Sequence, residues 1–156
     1  MEFLKTFQSQ DTRLGSAGPL LVASYAGTTT LAALEELGRT QETMLAKYPR
    51  ISTLTVIGQA SSMLKIDDAV RTKSLELGKK FDGKVVGSAI VVTTKGLGAV
   101  IVRSFLSGFF LLSRAETPMK TFANIQEGLT WLRTLPGQDL TLKTELSVAD
   151  IERFIA

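Results

Sequence analysis

The order of strand and helix signals constrains the fold of this chain more than any other feature of its sequence. Short apolar, β-branched runs alternate with longer segments whose apolar residues recur at helical spacing, and residues 84–92, KVVGSAIVV, form the most continuous run. Apolar strands separated by helices are typical of a mostly parallel sheet covered on both faces. The pattern therefore predicts an α/β fold.

The 156 residues are expected to form one domain with five strands, four main helices and a short C-terminal helix. The first strand is placed antiparallel at an edge, because its link to the second is too short for a parallel crossover. The predicted strands lie in residues 1–15, 19–26, 51–57, 84–92 and 118–122, and the predicted helices in residues 30–48, 65–81, 97–112, 124–135 and 148–155.

The predicted domain organisation separates an α/β domain from a tail. Residues 1–137 form the domain, and residues 138–156 form a C-terminal tail that contains the last helix. The sequence leaves open whether this helix packs on its own domain or on another molecule.

Two residue types that serve many active sites are absent. The chain has no Cys, which excludes disulfides, thiolate metal sites and thiol nucleophiles, and no His, which removes the usual general base and a common metal ligand. A non-enzymatic protein without a cofactor is therefore expected. The net charge is only +3, with the basic residues spread along the chain, so nucleic acid is not an expected partner.

The location of the protein is predicted from its first residues. Residues 1–13, MEFLKTFQSQDTR, lack the basic start and continuous apolar core of a secretory signal, so a cytoplasmic location is expected.

Residues 97–112, LGAVIVRSFLSGFFLL, form the least polar part of the chain and are called the apolar segment below. A bilayer span needs about 20 residues, and Arg103 in the middle would add a cost of about 2.5–3.5 kcal/mol, so no transmembrane helix is expected. On a helical wheel Arg103, Ser104 and Ser107 share one narrow strip, and the apolar arc is roughly twice as wide as one sheet-facing stripe of about 100°.

The surplus apolar surface needs a cover other than the sheet beneath it. The candidates are a second subunit, the C-terminal tail of the same chain, or a lipid-like ligand. Association with itself as a homodimer, or with another protein, is the first hypothesis, and a carrier or sensor of an apolar ligand is the alternative. A small-anion-binding protein or an enzyme that uses the hydroxyl-rich loops is the third hypothesis. Arg103 either reaches solvent or pairs with a carboxylate across the interface. The candidate interface residues are Leu97, Ile101, Arg103, Phe105, Leu106, Phe109, Phe110 and Leu112.

Three loops should meet at the carboxyl ends of the strands, where open α/β sheets bind ligands. Their hydroxyls, one lysine and helix N-termini would suit a small anion, although Ser and Thr before helices also serve as caps. The sequence TTKGLG lacks the spacing of a phosphate-binding P-loop. The candidate residues are Thr28, Thr29, Thr30, Ser61, Ser62, Thr93, Thr94 and Lys95.

The order of elements resembles the SpoIIAA-like fold of STAS domains, the anti-sigma-factor antagonists, and of Sec14 ligand domains. Residues 119–132, MKTFANIQEGLTWL, are similar to the last strand and helix of many bacterial proteins assigned to that group. Phe122, Trp131 and Leu132 match, whereas Gly128 replaces the usual Ala. The resemblance implies a bacterial regulatory or binding module without catalysis.

The resemblance also points to one modification site. Anti-sigma-factor antagonists carry an Asp-Ser-x-Gly motif whose Ser is phosphorylated, and the corresponding loop here, residues 59–63, reads QASSM. Ser61 or Ser62 would occupy the phosphoacceptor position, but the preceding Asp and the following Gly are missing. The favoured reading is that one of these serines caps the second helix.

Overall fold

A six-stranded sheet organises the chain in the computed structural model, which describes residues 1–58, 67–96, 99–100, 102–104, 106 and 115–156. The order of the strands across the sheet is their order along the chain. The strands are β1 (Leu4–Gln8), β2 (Thr12–Ala17), β3 (Leu20–Tyr25), β4 (Ile51–Ile57), β5 (Val85–Val92) and β6 (Met119–Phe122).

The sheet is parallel from β3 to β6 and antiparallel from β1 to β3, which confirms the predicted mostly parallel α/β fold with an antiparallel edge. The single strand predicted in residues 1–15 is wrong in one respect, because these residues form a hairpin of two strands. Its turn is closed by Ser9, whose amide donates to the Thr12 carbonyl at 2.9 Å and whose hydroxyl accepts from the Thr12 amide at 3.1 Å. The sequence predicts a turn at residues 11–15, whereas the structure places the turn before Thr12, where β2 begins.

Five helices are complete within the described residues: α1 (Leu31–Leu45), α2 (Asp68–Phe81), α3 (Ile125–Thr134), α4 (Leu140–Thr144) and α5 (Val148–Ile155). Residues 99, 100, 102–104 and 106 are also helical and lie in the connection from β5 to β6, residues 93–118, called the crossover below. Helix α4 lies where a polar connection was predicted.

Side-chain caps fix where the helices begin. Thr30, Asn124 and Ser147 cap α1, α3 and α5, and each of these side chains accepts a backbone amide of its helix. The serines predicted to cap the second helix, Ser61 and Ser62, lie outside the described residues. Asp67 caps α2, with its carboxylate 2.9 Å from the Val70 amide.

Each face of the sheet carries one hydrophobic core. The first core packs α3, α4 and α5 against one face, and the second packs α1 and α2 against the other. The first contains Ala17, Leu20, Val22, Leu54, Val56, Ala89, Val91, Phe122, Ile125, Leu129, Leu132, Leu142, Leu146 and Ile151. The second contains Leu14, Leu21, Ala23, Tyr25, Ala33, Leu34, Met44, Ile51, Val70, Leu77, Phe81 and Val85.

The C-terminal helix packs on its own chain, in the first core. The Phe154 ring stacks on Phe3 with centroids 4.6 Å apart, and Arg13 donates to the Phe154 carbonyl at 2.9 Å. A Cβ on Gly15 would lie 2.5 Å from Phe154 Cζ, so only glycine lets the ring approach β2 this closely. The hairpin of β1 and β2 therefore holds the last helix in place.

Candidate association surface and sheet edges

The loops after β3 and β5 lie at the carboxyl edge of the sheet, because β3, β4 and β5 are parallel. Thr28 and Thr30 are exposed and Thr29 is half-buried, and the Thr30 hydroxyl accepts the Ala33 amide at 3.2 Å. Lys95 is exposed. Ser61 and Ser62 lie outside the described residues.

Two candidate hydroxyls bond the end of the neighbouring strand. Thr93 Oγ1 donates to the Ile57 carbonyl at 3.3 Å, and Thr94 Oγ1 donates to the Gly58 carbonyl at 2.6 Å. These bonds extend the pairing of β4 and β5 beyond the last ladder residues. Thr93 and Thr94 therefore have a structural role here, and anion binding by this edge stays a prediction.

Asp11 belongs to the same edge and was missed in the sequence. The Ala26 amide donates to the Asp11 carbonyl at 2.7 Å, and a Cβ on Gly27 would lie 2.7 Å from Asp11 Oδ2. The turn between β1 and β2 thus closes over the end of β3. Gly27 was the only sequence signal for this contact, since it permits the close approach.

Tyr25 ends β3 within the second core. Burial raises the pKa of its hydroxyl well above the ordinary value of 10.0, because an ionised phenolate would lose its hydration there. Tyr25 is therefore neutral near pH 7, and its part in the fold is packing.

The helical residues of the crossover pack on the sheet through one stripe. Ala99, Val102 and Leu106 are buried and cluster with Val92, and Ile90 packs against this group. The spacing of three and four residues places them on one side of a helix. The sheet next to the crossover is therefore covered by a stripe of ordinary width.

The other side of the same helical stretch is open. Val100 is 51% exposed, Ser104 is exposed, and Arg103 is half-buried. Of the candidate interface residues, Leu106 lies in the buried stripe and Arg103 beside it. Leu97, Ile101, Phe105, Phe109, Phe110 and Leu112 lie outside the described residues.

At the amino edge, Asp82 joins the start of β5 to the approach to β6. Its carboxylate accepts the Glu116 amide at 3.1 Å and the Thr117 amide at 2.9 Å. The Thr117 hydroxyl in turn accepts the Gly83 amide at 3.1 Å. Hydrogen bonds from the Glu116 and Thr117 amides lower the pKa of Asp82, because they stabilise the ionised carboxylate. This contact fixes the far end of the crossover.

Metal-binding and membrane-spanning features were sought in the described part of the chain. Within it, no three His, Cys, Asp or Glu side chains are grouped as a metal ion would require. None of the helices there is both long and apolar enough to cross a bilayer.

The fold of this chain is similar to that of a protein whose structure is known. No protein-family model matches the sequence, and no curated protein matches it. An uncharacterized protein of the DUF3478 family from Shewanella loihica PV-4, solved as a crystal structure and described as having a SpoIIAA-like fold, superposes with a TM-score of 0.53. The match covers 83% of this chain and 93% of that one, at 19% sequence identity.

The fold is SpoIIAA-like. This confirms the resemblance drawn from the order of elements and from residues 119–132. At 19% identity the match establishes the fold alone, and the function has to be argued from the surface of this chain.

Proposed function

We propose that the protein is a non-enzymatic binding module that acts through protein–protein association, and that it forms a homodimer through the apolar segment. The observation that carries this proposal is the outward position of Val100. It is 51% exposed, whereas Ala99, Val102 and Leu106 of the same helical stretch are 0%, 2% and 6% exposed. The buried stripe already packs on the sheet, so the side that carries Val100 is open to contact with another molecule.

The setting of Val100 separates it from an ordinary surface valine. Single exposed apolar residues are common on proteins and need no explanation. Val100 belongs to a run of 16 residues, 97–112, in which Arg103 is the only charged residue. Interfaces of homodimers have apolar centres depleted of charge, and this composition fits such a centre.

The residues at the carboxyl edge support a role without catalysis. The sequence contains no His and no Cys, and the hydroxyls of Thr93 and Thr94 bond backbone carbonyls of the neighbouring strand. The Thr30 hydroxyl accepts a hydrogen bond from the Ala33 amide in the first turn of α1. The hydrogen bonds that the Thr30, Thr93 and Thr94 hydroxyls make within the fold explain why hydroxyl residues occupy these positions.

The oligomeric state of the purified protein tests the proposal. We expect light scattering during size exclusion to give twice the chain mass at micromolar concentration. Val100→Asp should raise the dimer dissociation constant by about tenfold or more, because it places a charge in an apolar interface. Thermal unfolding of the separated monomer should stay close to that of the wild-type monomer, since Val100 is outside the buried stripe.

Two variants serve as controls. Leu140→Asp introduces the same charge at another exposed apolar position, 72% exposed on α4, and should leave the dimer intact. Val102→Asp places the charge in the buried stripe and should unfold the protein. A monomeric wild type contradicts the proposal, and a monomer that co-purifies with a lipid-like molecule in native mass spectrometry would support the ligand-carrier alternative instead.

A further inference from the structure

Basic residues gather at the amino edge of the sheet, where the chain enters β4 and β5. Residues 46–50 lead from α1 into β4, and residues 79–84 lead from the last turn of α2 into β5. These two stretches are called the basic edge below, and they contain one acidic residue and five basic ones. The basic residues, all exposed, are Lys47, Arg50, Lys79, Lys80 and Lys84.

Arg50 and Lys84 are neighbours on adjacent strands. The residues that follow them, Ile51 and Val85, are register partners in the parallel pairing of β4 and β5. The Ile51 amide donates to the Lys84 carbonyl at 3.2 Å. Arg50 Nη2 donates to the Val85 carbonyl, also at 3.2 Å. The Arg50 guanidinium is therefore held at the start of β5, next to Lys84 in the chain.

Most of the positive charge on the basic edge is not neutralised within the molecule. All 15 Asp and Glu residues of the sequence lie among the described residues. Lys80 pairs with Glu42 on α1, whereas the other four cations have no carboxylate oxygen within 4.0 Å of their side-chain nitrogens. Asp82, the acidic residue of the basic edge, is engaged because its carboxylate accepts two backbone amides.

Helix ends explain only part of this charge. Lys79 and Lys80 lie in the last turn of α2, where a cation stabilises the helix dipole. Arg50 and Lys84 lie outside the helices, and two neighbouring cations without an anion repel each other. An anion supplied by another molecule would turn this repulsion into attraction.

The surroundings of the basic edge favour a short acidic segment of a protein over a longer polyanion. Glu42 borders the basic edge on α1, and Glu116 borders it at Gly83, where an added Cβ would lie 2.9 Å from Glu116 Oε2. A nucleic-acid backbone or an anionic bilayer extends further and would bring phosphates toward these carboxylates. The aromatic residues of the basic edge, Tyr48 and Phe81, are half-buried and buried, so neither offers an open ring to a base or a bilayer.

We propose that the basic edge binds an acidic segment of a partner protein, whose neighbouring carboxylates pair with Arg50 and Lys84 while Lys47 and Lys79 attract the flanking charge. Arg50 uses one nitrogen for the Val85 carbonyl, which leaves its other donors for a carboxylate. This surface goes beyond the proposed homodimer and does not depend on it, because no residue of the basic edge belongs to the apolar segment.

Binding of a fluorescein-labelled hexaglutamate peptide, followed by fluorescence anisotropy at low ionic strength, tests the proposal. We expect saturable binding that weakens as salt is added, because salt screens exposed charges. Lys84→Glu and Arg50→Glu should each raise the dissociation constant about fivefold or more, because each change replaces an attraction with a repulsion. Circular dichroism checks that the variants are folded, and Lys47→Glu serves as a further variant if Arg50→Glu is not.

Two variants control for the loss of positive charge as such. Lys5→Glu and Lys95→Glu make the same charge change at exposed positions on β1 and at the carboxyl edge. Both should leave the dissociation constant for hexaglutamate unchanged. A labelled peptide of alternating Gly and Ser, which carries no side-chain charge, should not bind the wild type.

The outcomes separate this inference from the homodimer. Absence of hexaglutamate binding, or equal weakening by the control variants and by Lys84→Glu, overturns the basic edge as a binding surface. Tighter binding of single-stranded oligothymidylate or of phosphatidylserine vesicles overturns the choice of a protein partner. A monomeric wild type that binds hexaglutamate through Lys84 contradicts the homodimer alone, and a dimer that does not bind it contradicts this inference alone.

Discussion

Asp82 shows how one carboxylate can position a long connection. It is placed before β5, yet its carboxylate accepts amides 34 and 35 residues further along the chain. Hydrogen bonds that backbone amides donate to charged acceptors are stronger than those between neutral groups. The Asp82 carboxylate therefore helps to hold the approach to β6 beside the start of β5, together with the bond from the Gly83 amide to the Thr117 hydroxyl.

Replacing Asp82 should make stability less sensitive to acid. The folded-state pKa of Asp82 lies below its ordinary value of 3.8, so its contribution to the free energy of unfolding is present above that value and is lost as the pH falls through the folded-state pKa. Asp82→Asn should lower the free energy of unfolding at neutral pH. The difference in this free energy between the variant and the wild type should become smaller in acid. Urea unfolding between neutral pH and pH 3 measures both effects.

Asp68→Asn provides the matched control for this measurement, because the Asp68 side chain is fully exposed and makes only a 3.9 Å contact with Arg71. It should follow the wild-type pH profile. A stability difference between Asp82→Asn and wild type that stays constant across this range would show that the Asp82 carboxylate charge contributes nothing.

At the scale of elements, the last helix of the chain is held by contacts with residues distant in sequence. Helix α5 buries Ile151 completely, stacks Phe154 on Phe3, which directly precedes β1, and accepts a hydrogen bond from Arg13 of β2. A short isolated helix of eight residues is unstable in water, so these contacts must supply its stability.

Shortening Ile151 should therefore weaken the whole domain. Ile151→Ala removes a fully buried side chain from the first core and should cost about 2–5 kcal/mol of unfolding free energy. Glu152→Ala, one residue away and exposed, should stay within about 0.5 kcal/mol of wild type. Denaturant titration compares the two. Equal effects of both changes would mean that α5 adds little to the stability of the domain.

Elements were predictable from the sequence where local signals were strong. The strand in residues 51–57 and the caps at Thr30, Asn124 and Ser147 follow from β-branched alternation and from the hydroxyl and amide groups that precede apolar helices. The hairpin turn was expected at residues 11–15 and lies a few residues earlier, and α4 was missed because a helix of five residues has little periodic signal. The cap by Asp67 was missed because the sequence places the start of the second helix near residue 65.

Contacts between residues distant in sequence could not be predicted, for a different reason. The bond from Ser52 Oγ to Gln138 Oε1 at 3.0 Å joins residues 86 positions apart, and Asp11 meets Gly27 only because the first hairpin folds over β3. Such partners are set by the topology of the sheet, which local patterns do not encode. Of the candidate surfaces, the apolar segment could be recognised, whereas the adjacency of Arg50 and Lys84 depends on the register of β4 and β5.

At the scale of the whole molecule, one sheet joins both hydrophobic cores. Alternate residues of the same strands serve opposite faces, so Val22 and Leu54 belong to the first core while Leu21 and Ala23 belong to the second. Loss of either core removes the support of strands that the other needs. The two layers are therefore expected to unfold together.

Two optical probes can test this cooperativity. Trp131, the single tryptophan, lies 5.5 Å from Phe122 in the first core, so its fluorescence reports that layer, whereas far-ultraviolet circular dichroism reports all helices. Their urea midpoints should coincide within error. A tryptophan transition that precedes the dichroism transition would show that the layer of α3, α4 and α5 unfolds separately. Lys79→Ala, exposed on α2 and so on the other side of the sheet from Trp131, should leave this coincidence unchanged.

The stack of Phe3 on Phe154 also has a consequence for biosynthesis. Phe3 leaves the ribosome long before Phe154 is synthesised. Phe3 therefore has no aromatic partner until the rest of the chain has emerged. During that time the Phe3 ring and the edge strand β1 are exposed, and the nascent chain can bind chaperones. Closure of the domain is therefore timed by translation of its last helix.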